Sequence, residues 1–297
     1  MDGYGLAKII LIGEHSVVYG HPAIAIPFYA MRSEVVLTPH KEYVIDTKYY
    51  TGLLNNAVSE LNGLVALINH MVSIYKKIKP VIISVRSSLP EKSGLGSSAS
   101  VAKAVIDAFN NHFNLELTHL DYFELLKISE NIYHHNASGI DASTIIYEKP
   151  IIYQNPHIKP LNFNIDGYLA VFYSNTNSAT KSAVAHVSTH PHRNEHINAL
   201  GSLTSNAKWA VENNDITLLA SMFNAAHMHL KALDLSTPAL EELRTKLIEA
   251  GALGVKITGG GMGGCLIALF NDEEIANNAR QKLANYPSWM IDLRKIL

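Results

Sequence analysis

The 297-residue chain contains one cysteine, Cys265. No intrachain disulfide can form, and a reducing cytosol fits. It lacks an excess of either charge: 24 Lys and Arg against 26 Asp and Glu leave a formal net charge of −2. No basic block stands out, which argues against a nucleic-acid partner held through its phosphates. No apolar run reaches the roughly 18 residues of a membrane span. The start, MDGYGLAKIILIGEH, carries an acid at Asp2 and only a short apolar stretch, unlike a secretory signal. Internal repeats and low-complexity tracts are missing too. A cytoplasmic globular protein is the expectation. Hydrophobic residues at 47% and charged residues at 17% support a substantial core, in one large or two ordinary domains.

Strand and helix patterns alternate along the chain. LAKIILIG (Leu6–Gly13) is a short branched run ending in glycine, hence a buried strand. SEVVLTP and YVIDT alternate as strands do. Gly52–Ile78 has helical spacing and predicts two helices broken near Asn62–Gly63. Val81–Leu89 predicts a strand, and ASVAKAVIDAFNNHF and LDYFELLKISENIYHH predict amphipathic helices. TIIYEKPIIYQN reads as a hairpin. A domain boundary is expected near Asn162–Gly167, giving domains 1–163 and 164–297. Beyond it come a strand (GYLAVFYS), long helices, two apolar strands joined by glycines (GVKITGG and GCLIALF), a helix and a last strand (SWMIDLR). That is the ferredoxin-like βαββαβ order with extra helices in the first crossover, so the chain is expected to be α+β.

Three stretches concentrate polar or glycine residues against this background. PEKSGLGSSAS (Pro90–Ser100) lies between a predicted strand and a predicted helix. Gly94 and Gly96 would let backbone N–H groups face a ligand, and Ser97 and Ser98 open the helix, where free N–H groups favour an anion. The Gly-Lys-Ser/Thr ending of a Walker A loop is absent. By geometry alone, a phosphate cradle and a plain strand–turn–helix fit equally well. KIILIGEHSVVYGHPAIAIP (Lys8–Pro27) delivers Lys8 on a strand and turns at Gly13 into Glu14 and His15. By itself Lys8 fits an exposed strand end. VKITGGGMGGCLIAL packs five glycines between Gly259 and Gly264. A two-residue hairpin turn needs far less glycine, so something approaches this backbone closely.

Taken in order, these stretches resemble the three motifs of the GHMP kinase superfamily, over essentially the whole chain. GEHSVVYGHPAIAIP is similar to the compact prokaryotic mevalonate kinases within it. A galactokinase would show Gly-Glu-His-Thr-Asp there, whereas Ser16-Val17-Val18-Tyr19 suits a smaller, partly apolar acid. The resemblance implies the GHMP kinase fold, with an N-terminal mixed α/β domain and a ferredoxin-like C-terminal domain. It implies ATP-dependent phosphorylation of the primary hydroxyl of mevalonate to 5-phosphomevalonate, on the route to isoprenoids. The nearest alternatives are superfamily kinases acting on phosphomevalonate or homoserine, then a silent ATP and metabolite sensor.

The resemblance also implies a site. ATP would lie on Pro90, Glu91, Lys92, Ser93, Gly94, Leu95, Gly96, Ser97, Ser98, Ala99 and Ser100, with Gly259, Gly260 and Gly261. Asp141, after Ser-Gly-Ile, would face the substrate hydroxyl, and Lys8 would pair with it and the reacting oxygen. Glu130, eleven residues upstream, and Ser98 would hold Mg²⁺. Glu14, His15 and Thr180 would lie beside mevalonate or the phosphates. Asp141 either accepts the alcohol proton or orients the hydroxyl while Lys8 lowers its pKa; a loose transition state asks for little base strength. Lys92 and Ser93 replace the commoner Gly-Ala, and Ala137 stands where proline is usual. A homodimer is left open.

The remaining polar clusters read as structural. His186, His190, His192 and His196 lie close in sequence, but Pro191 breaks any shared helical face and no cysteine accompanies them. His134, His135, His227 and His229 read as surface or helix-packing positions, and Cys265 as a small buried residue.

Overall fold

The structure, a computed structural model, describes residues 2–133, 138–178 and 180–296. The chain divides into two compact units, each discontinuous in sequence. The first comprises Met1–Ala7, Met31–Leu89 and Gly96–Glu148; the second comprises Lys8–Ala30, Pro90–Leu95 and Lys149–Leu297. No helix among the described residues is long and apolar enough to cross a membrane.

Two strands, β1 (Gly3–Ile12) and β2 (Ala23–Pro39), each contribute part of their length to the first unit. Its other elements are β3 (Val44–Asp46), β4 (Thr51–Leu53), α1 (Asn62–Ile74), β5 (Val81–Ser87), α2 (Ser97–Phe113), α3 (His119–Tyr133) and α4 (Ile140–Tyr147). Here the strand order is β4-β3-β5-β2, with β5 antiparallel to Ser33–Pro39 and parallel to β3. The period-2 pattern turns Val81, Ile83 and Val85 inward. They meet Leu64, Leu67, Ile68 and Met71 of α1, Val105 and Phe109 of α2, and Leu125 and Leu126 of α3. Spacings of three and four residues set each helix's apolar stripe on this core. Helices α2, α3 and α4 pack on one another.

Two local expectations for this unit are corrected. The first half of Gly52–Ile78 is not a helix: β4 is followed by 3₁₀ turns at Leu54–Asn56 and Ser59–Leu61, and α1 starts at the anticipated break. Leu54 and Leu61 are buried, so their seven-residue spacing anchors a connection rather than a helical face. Thr144–Tyr147 is not a strand either but the end of α4. Its β-branched residues favour strands weakly, yet Thr144 and Ile145 are fully buried, and Thr144 Oγ1 donates to Ile140 O at 2.8 Å.

In the second unit the hairpin is instead β6 (Ile151–Gln154) with β7 (His157–Pro160), and β6 pairs with Ala23–Ala25 of β2. Then follow β8 (Tyr168–Tyr173), α5 (Thr180–Thr189), α6 (Arg193–Glu212), α7 (Ile216–Ala232), α8 (Pro238–Glu249), β9 (Gly254–Thr258), β10 (Cys265–Phe270), α9 (Glu273–Lys282) and β11 (Ser288–Asp292). The four strands form one antiparallel sheet in the order β11-β8-β10-β9, the ferredoxin-like arrangement, with four helices in the first crossover. Asp215, Thr237 and Asp272 cap α7, α8 and α9 by accepting a backbone N–H in the first turn. Strands β9 and β10 are buried along their whole length, which explains their unbroken apolar runs.

Candidate active site

In the second unit, β1 delivers Lys8. It is only 2% exposed, so the exposed strand-end alternative does not hold. Its Nζ donates to Gly94 O at 3.0 Å and its N–H to Leu95 O at 3.0 Å, which binds the lysine to the glycine loop. Past the end of β1 the chain turns through Gly13 into Glu14 and His15, both buried. His15 adopts a left-handed φ of 60°, uncommon for a residue with a side chain. Its Nε2 donates to Gly260 O at 2.9 Å, which fixes the tautomer. Burial pushes its pKa down to about 4, so the ring is neutral at pH 7.

Glu14 pairs through Oε1 with the Nζ of Lys256 on β9, and neither side chain reaches solvent. Burial pushes the Glu14 carboxyl up and the Lys256 ammonium down, each opposed by the pairing. The second oxygen, Glu14 Oε2, is buried with no hydrogen-bond partner. An acceptor left so is costly.

The close approach anticipated at the glycines is partly made by the chain itself. A Cβ on Gly94 would lie 2.8 Å from Thr258 O, and one on Gly259 would lie 2.8 Å from Gly94 Cα. The two glycine loops thus pack backbone on backbone, with φ of 84° and 83° at these residues. Ser178 adds to the junction: its Oγ donates to Gly261 O at 2.9 Å and its N–H to Lys92 O at 2.6 Å. Thr180 is the first residue of α5.

The first unit holds the rest of the first glycine loop and the candidate acids. Gly96, with a φ of 76°, is the N-cap of α2, and Ser97 and Ser98 form the first turn, half-buried. Ser100 Oγ is taken up by Gly5 O at 2.7 Å and Ser33 Oγ at 2.8 Å, and Ala99 is buried. Glu130 lies on α3 and is 6% exposed. Asp141 sits half-buried in the first turn of α4, after Gly139 with a φ of 82°. A hydroxyl at a helix start and a buried carboxylate are hard oxygen donors of the kind Mg²⁺ takes. No group of three or more His, Cys, Asp or Glu that could hold a metal occurs among the described residues. A phosphate-bound Mg²⁺ asks for fewer, with one or two carboxylates beside water and phosphate.

Comparisons with known proteins give the family. The model of the GHMP kinases N terminal domain matches residues 62–149, and that of the GHMP kinases C terminal matches residues 207–288. The mevalonate kinase of Thermococcus sibiricus is 32% identical over 295 residues, covering 90% of this chain and 88% of that protein. The chain belongs to the GHMP kinase family. The crystal structure of mevalonate kinase from methicillin-resistant Staphylococcus aureus superposes on this GHMP kinase with a TM-score of 0.78 at 32% identity, covering 98% of both chains. That of L. major mevalonate kinase in complex with R-mevalonate gives a TM-score of 0.82 at 22% identity, covering 98% of this chain and 95% of that one, and so speaks for the fold.

Two residues of this GHMP kinase escaped the sequence reading. Lys256 sits in an apolar strand run, VKIT, and its signal was a lone charge just before the glycine loop. Ser178 carries no motif of its own. Ala137, His134 and His135 lie outside the described residues. His186 and His190 both face Asp234 Oδ2, at 3.7 and 3.6 Å, and His196 Nδ1 lies 3.1 Å from His229 Nδ1. His227 is fully buried and donates from Nε2 to Glu241 Oε1 at 2.8 Å. Cys265 is buried in β10, where desolvation pushes its thiol pKa up and leaves it unreactive.

Proposed function

We infer that this GHMP kinase is a mevalonate kinase, moving the γ-phosphoryl group of ATP to the primary hydroxyl of mevalonate. The observation that carries the reading is the likeness, over nine-tenths of the chain, to enzymes of that name. Backbone N–H groups of Gly94–Ser98 take the phosphates, with Pro90–Ser93, Ala99 and Ser100 completing the loop and Gly259–Gly261 bordering the nucleotide. Asp141 accepts the hydroxyl proton or holds the hydroxyl in line, and the Lys8 ammonium stabilises negative charge on the reacting oxygens. Glu14, His15 and Thr180 orient mevalonate or the phosphates. His15 is neutral at pH 7 and adds no charge beside Glu14.

Ser98 and Glu130 would hold Mg²⁺, which when bound supplies neutralisation of the terminal phosphates. The reading keeps 1–163 and 164–297 as the two family domains, and a cytoplasmic site of action. Purified protein with ATP and, separately, mevalonate, phosphomevalonate and homoserine tests it. Phosphorylation of mevalonate with a kcat/KM at least about a hundredfold above the other two is expected. Preference for either rival acceptor, or ATP binding without transfer, contradicts it.

A further inference from the structure

We propose that Lys103 is a positioning residue for phosphoryl transfer: its ammonium, with the carboxylates of Asp107 and Glu148 that it holds, ties together the three helices that carry Ser98, Glu130 and Asp141. The inference rests on the reading that these three residues form the transfer site. Lys103 lies on α2, five residues past Ser98, and is 6% exposed. Its Nζ donates to Asp107 Oδ2 on the same helix at 2.7 Å and to Glu148 Oε1 at 2.6 Å. Glu148 is the C-cap of α4, at the end opposite Asp141, and takes a left-handed φ of 50°. Asp107 Oδ1 accepts from the hydroxyl of Tyr122 on α3 at 2.7 Å, and Glu148 Oε2 accepts from the hydroxyl of Tyr4 on β1 at 2.8 Å. The ammonium also sits over the Tyr4 ring, 4.3 Å from its centroid. Every oxygen of both carboxylates thus has a named donor.

The arrangement is more specific than packing requires. Apolar contacts let helices slide by fractions of an ångström, whereas short charge-assisted bonds in a low dielectric fix direction as well as distance. At 1.5 Å per residue, the junction lies about 7 Å along α2 from Ser98, about 12 Å along α3 from Glu130 and about 10 Å along α4 from Asp141. A rotation of any one helix about this point shifts its reactive end. In an in-line transfer a misplacement of about 1 Å costs on the order of a hundredfold in rate. Carboxylates on both sides outweigh desolvation and hold the Lys103 pKa above its ordinary value, so the junction stays charged at neutral pH.

The test compares Lys103→Met, Lys103→Arg, Tyr122→Phe and Asp141→Asn with the parent, at a temperature where circular dichroism shows each one folded. Lys103→Met is expected to lower kcat by about ten- to a hundredfold, while metal-free ATP affinity and the KM for mevalonate stay within about twofold. Lys103→Arg, which keeps charge and reach, is expected to restore kcat to within about threefold of the parent. Tyr122→Phe deletes one oxygen and releases only α3, so it is expected to raise the Mg²⁺ concentration for half-maximal rate by about threefold. A folded Lys103→Met protein with kcat within twofold of the parent and a lowered Tm shows a merely structural junction and overturns the proposal. If Lys103→Met does not fold, Tyr122→Phe decides, and an unchanged Mg²⁺ dependence overturns it. Full turnover by Asp141→Asn would overturn the site reading itself, and the positioning role with it; a collapsed Asp141→Asn beside an intact Lys103→Met would remove the positioning role alone.

Discussion

Each unit contains a buried ammonium paired with one or two carboxylates, and the two clusters are finished differently. In the first unit, Lys103 faces Asp107 and Glu148, and two phenols complete the remaining carboxylate oxygens. In the second, Lys256 faces Glu14, and Glu14 Oε2 is left without a donor. Continuum reasoning puts little net stability in either pair, because desolvation offsets the Coulomb attraction. The contrast therefore speaks of use. A completed network fixes direction at each carboxylate, and an incomplete one leaves an acceptor unsatisfied.

Breaking the incomplete pair should have the largest effect on stability. Lys256→Met strands a carboxylate with no access to water, at a cost of about 3–5 kcal/mol. Adding Glu14→Gln should recover most of it. Urea unfolding of the parent, the single and the double variant measures this, and an additive double variant would mean that the two groups do not interact.

Acid should sharpen the comparison next. The folded-state pKa of His15 is depressed to about 4, so between there and about 6.5 the unfolded chain binds a proton that the native site refuses. Stability is intact above pH 6.5 and falls as pH drops through that window. From pH 7 to 4.5 this one residue accounts for about 2 to 3 kcal/mol at 1.36 kcal/mol per pKa unit. His15→Gln should lose correspondingly less over the same range, as read by denaturant midpoints at both pH values.

The loop junction comes third. Gly94→Ala sets a methyl group against the carbonyl of Thr258 and strains a positive φ, so about 1–3 kcal/mol should be lost. ATP affinity by calorimetry should fall as well. Smaller still, Glu130→Gln should raise the Mg²⁺ needed for half-maximal rate by about tenfold, because an amide is a poorer ligand for a hard cation. Titration of activity against Mg²⁺ reads this directly, and an unaltered curve would make Glu130 an ordinary helix carboxylate.

The sequence disclosed the second unit more fully than the first. Strands β8 to β11 announced themselves as apolar or alternating runs punctuated by glycine, and their order alone implied the βαββαβ arrangement. In the first unit, local pattern and tertiary context disagreed. Thr144, Ile145 and Ile146 look like a strand but fill the interior side of α4. Ala23–Arg32 was given no assignment from the sequence, yet it forms the first part of β2. The glycine loops were legible as places of close approach, but not that Gly94 and Gly259 approach each other, because the contact joins residues 165 apart in sequence. Lys256 was invisible for the same reason, since Glu14 is 242 residues away, and Lys103 was legible only as an i,i+4 pair with Asp107, because Glu148 is distant along the chain.

The central claim is that Asp141 acts on the substrate hydroxyl while the nucleotide is held elsewhere, by the loop backbone. Asp141→Asn keeps the size of the side chain and removes its charge. Measured on the folded variant, kcat with saturating ATP and mevalonate should fall by roughly two orders of magnitude or more, with calorimetric ATP affinity unchanged. Turnover within a few-fold of the parent, or a loss explained wholly by weaker ATP binding, would contradict the account.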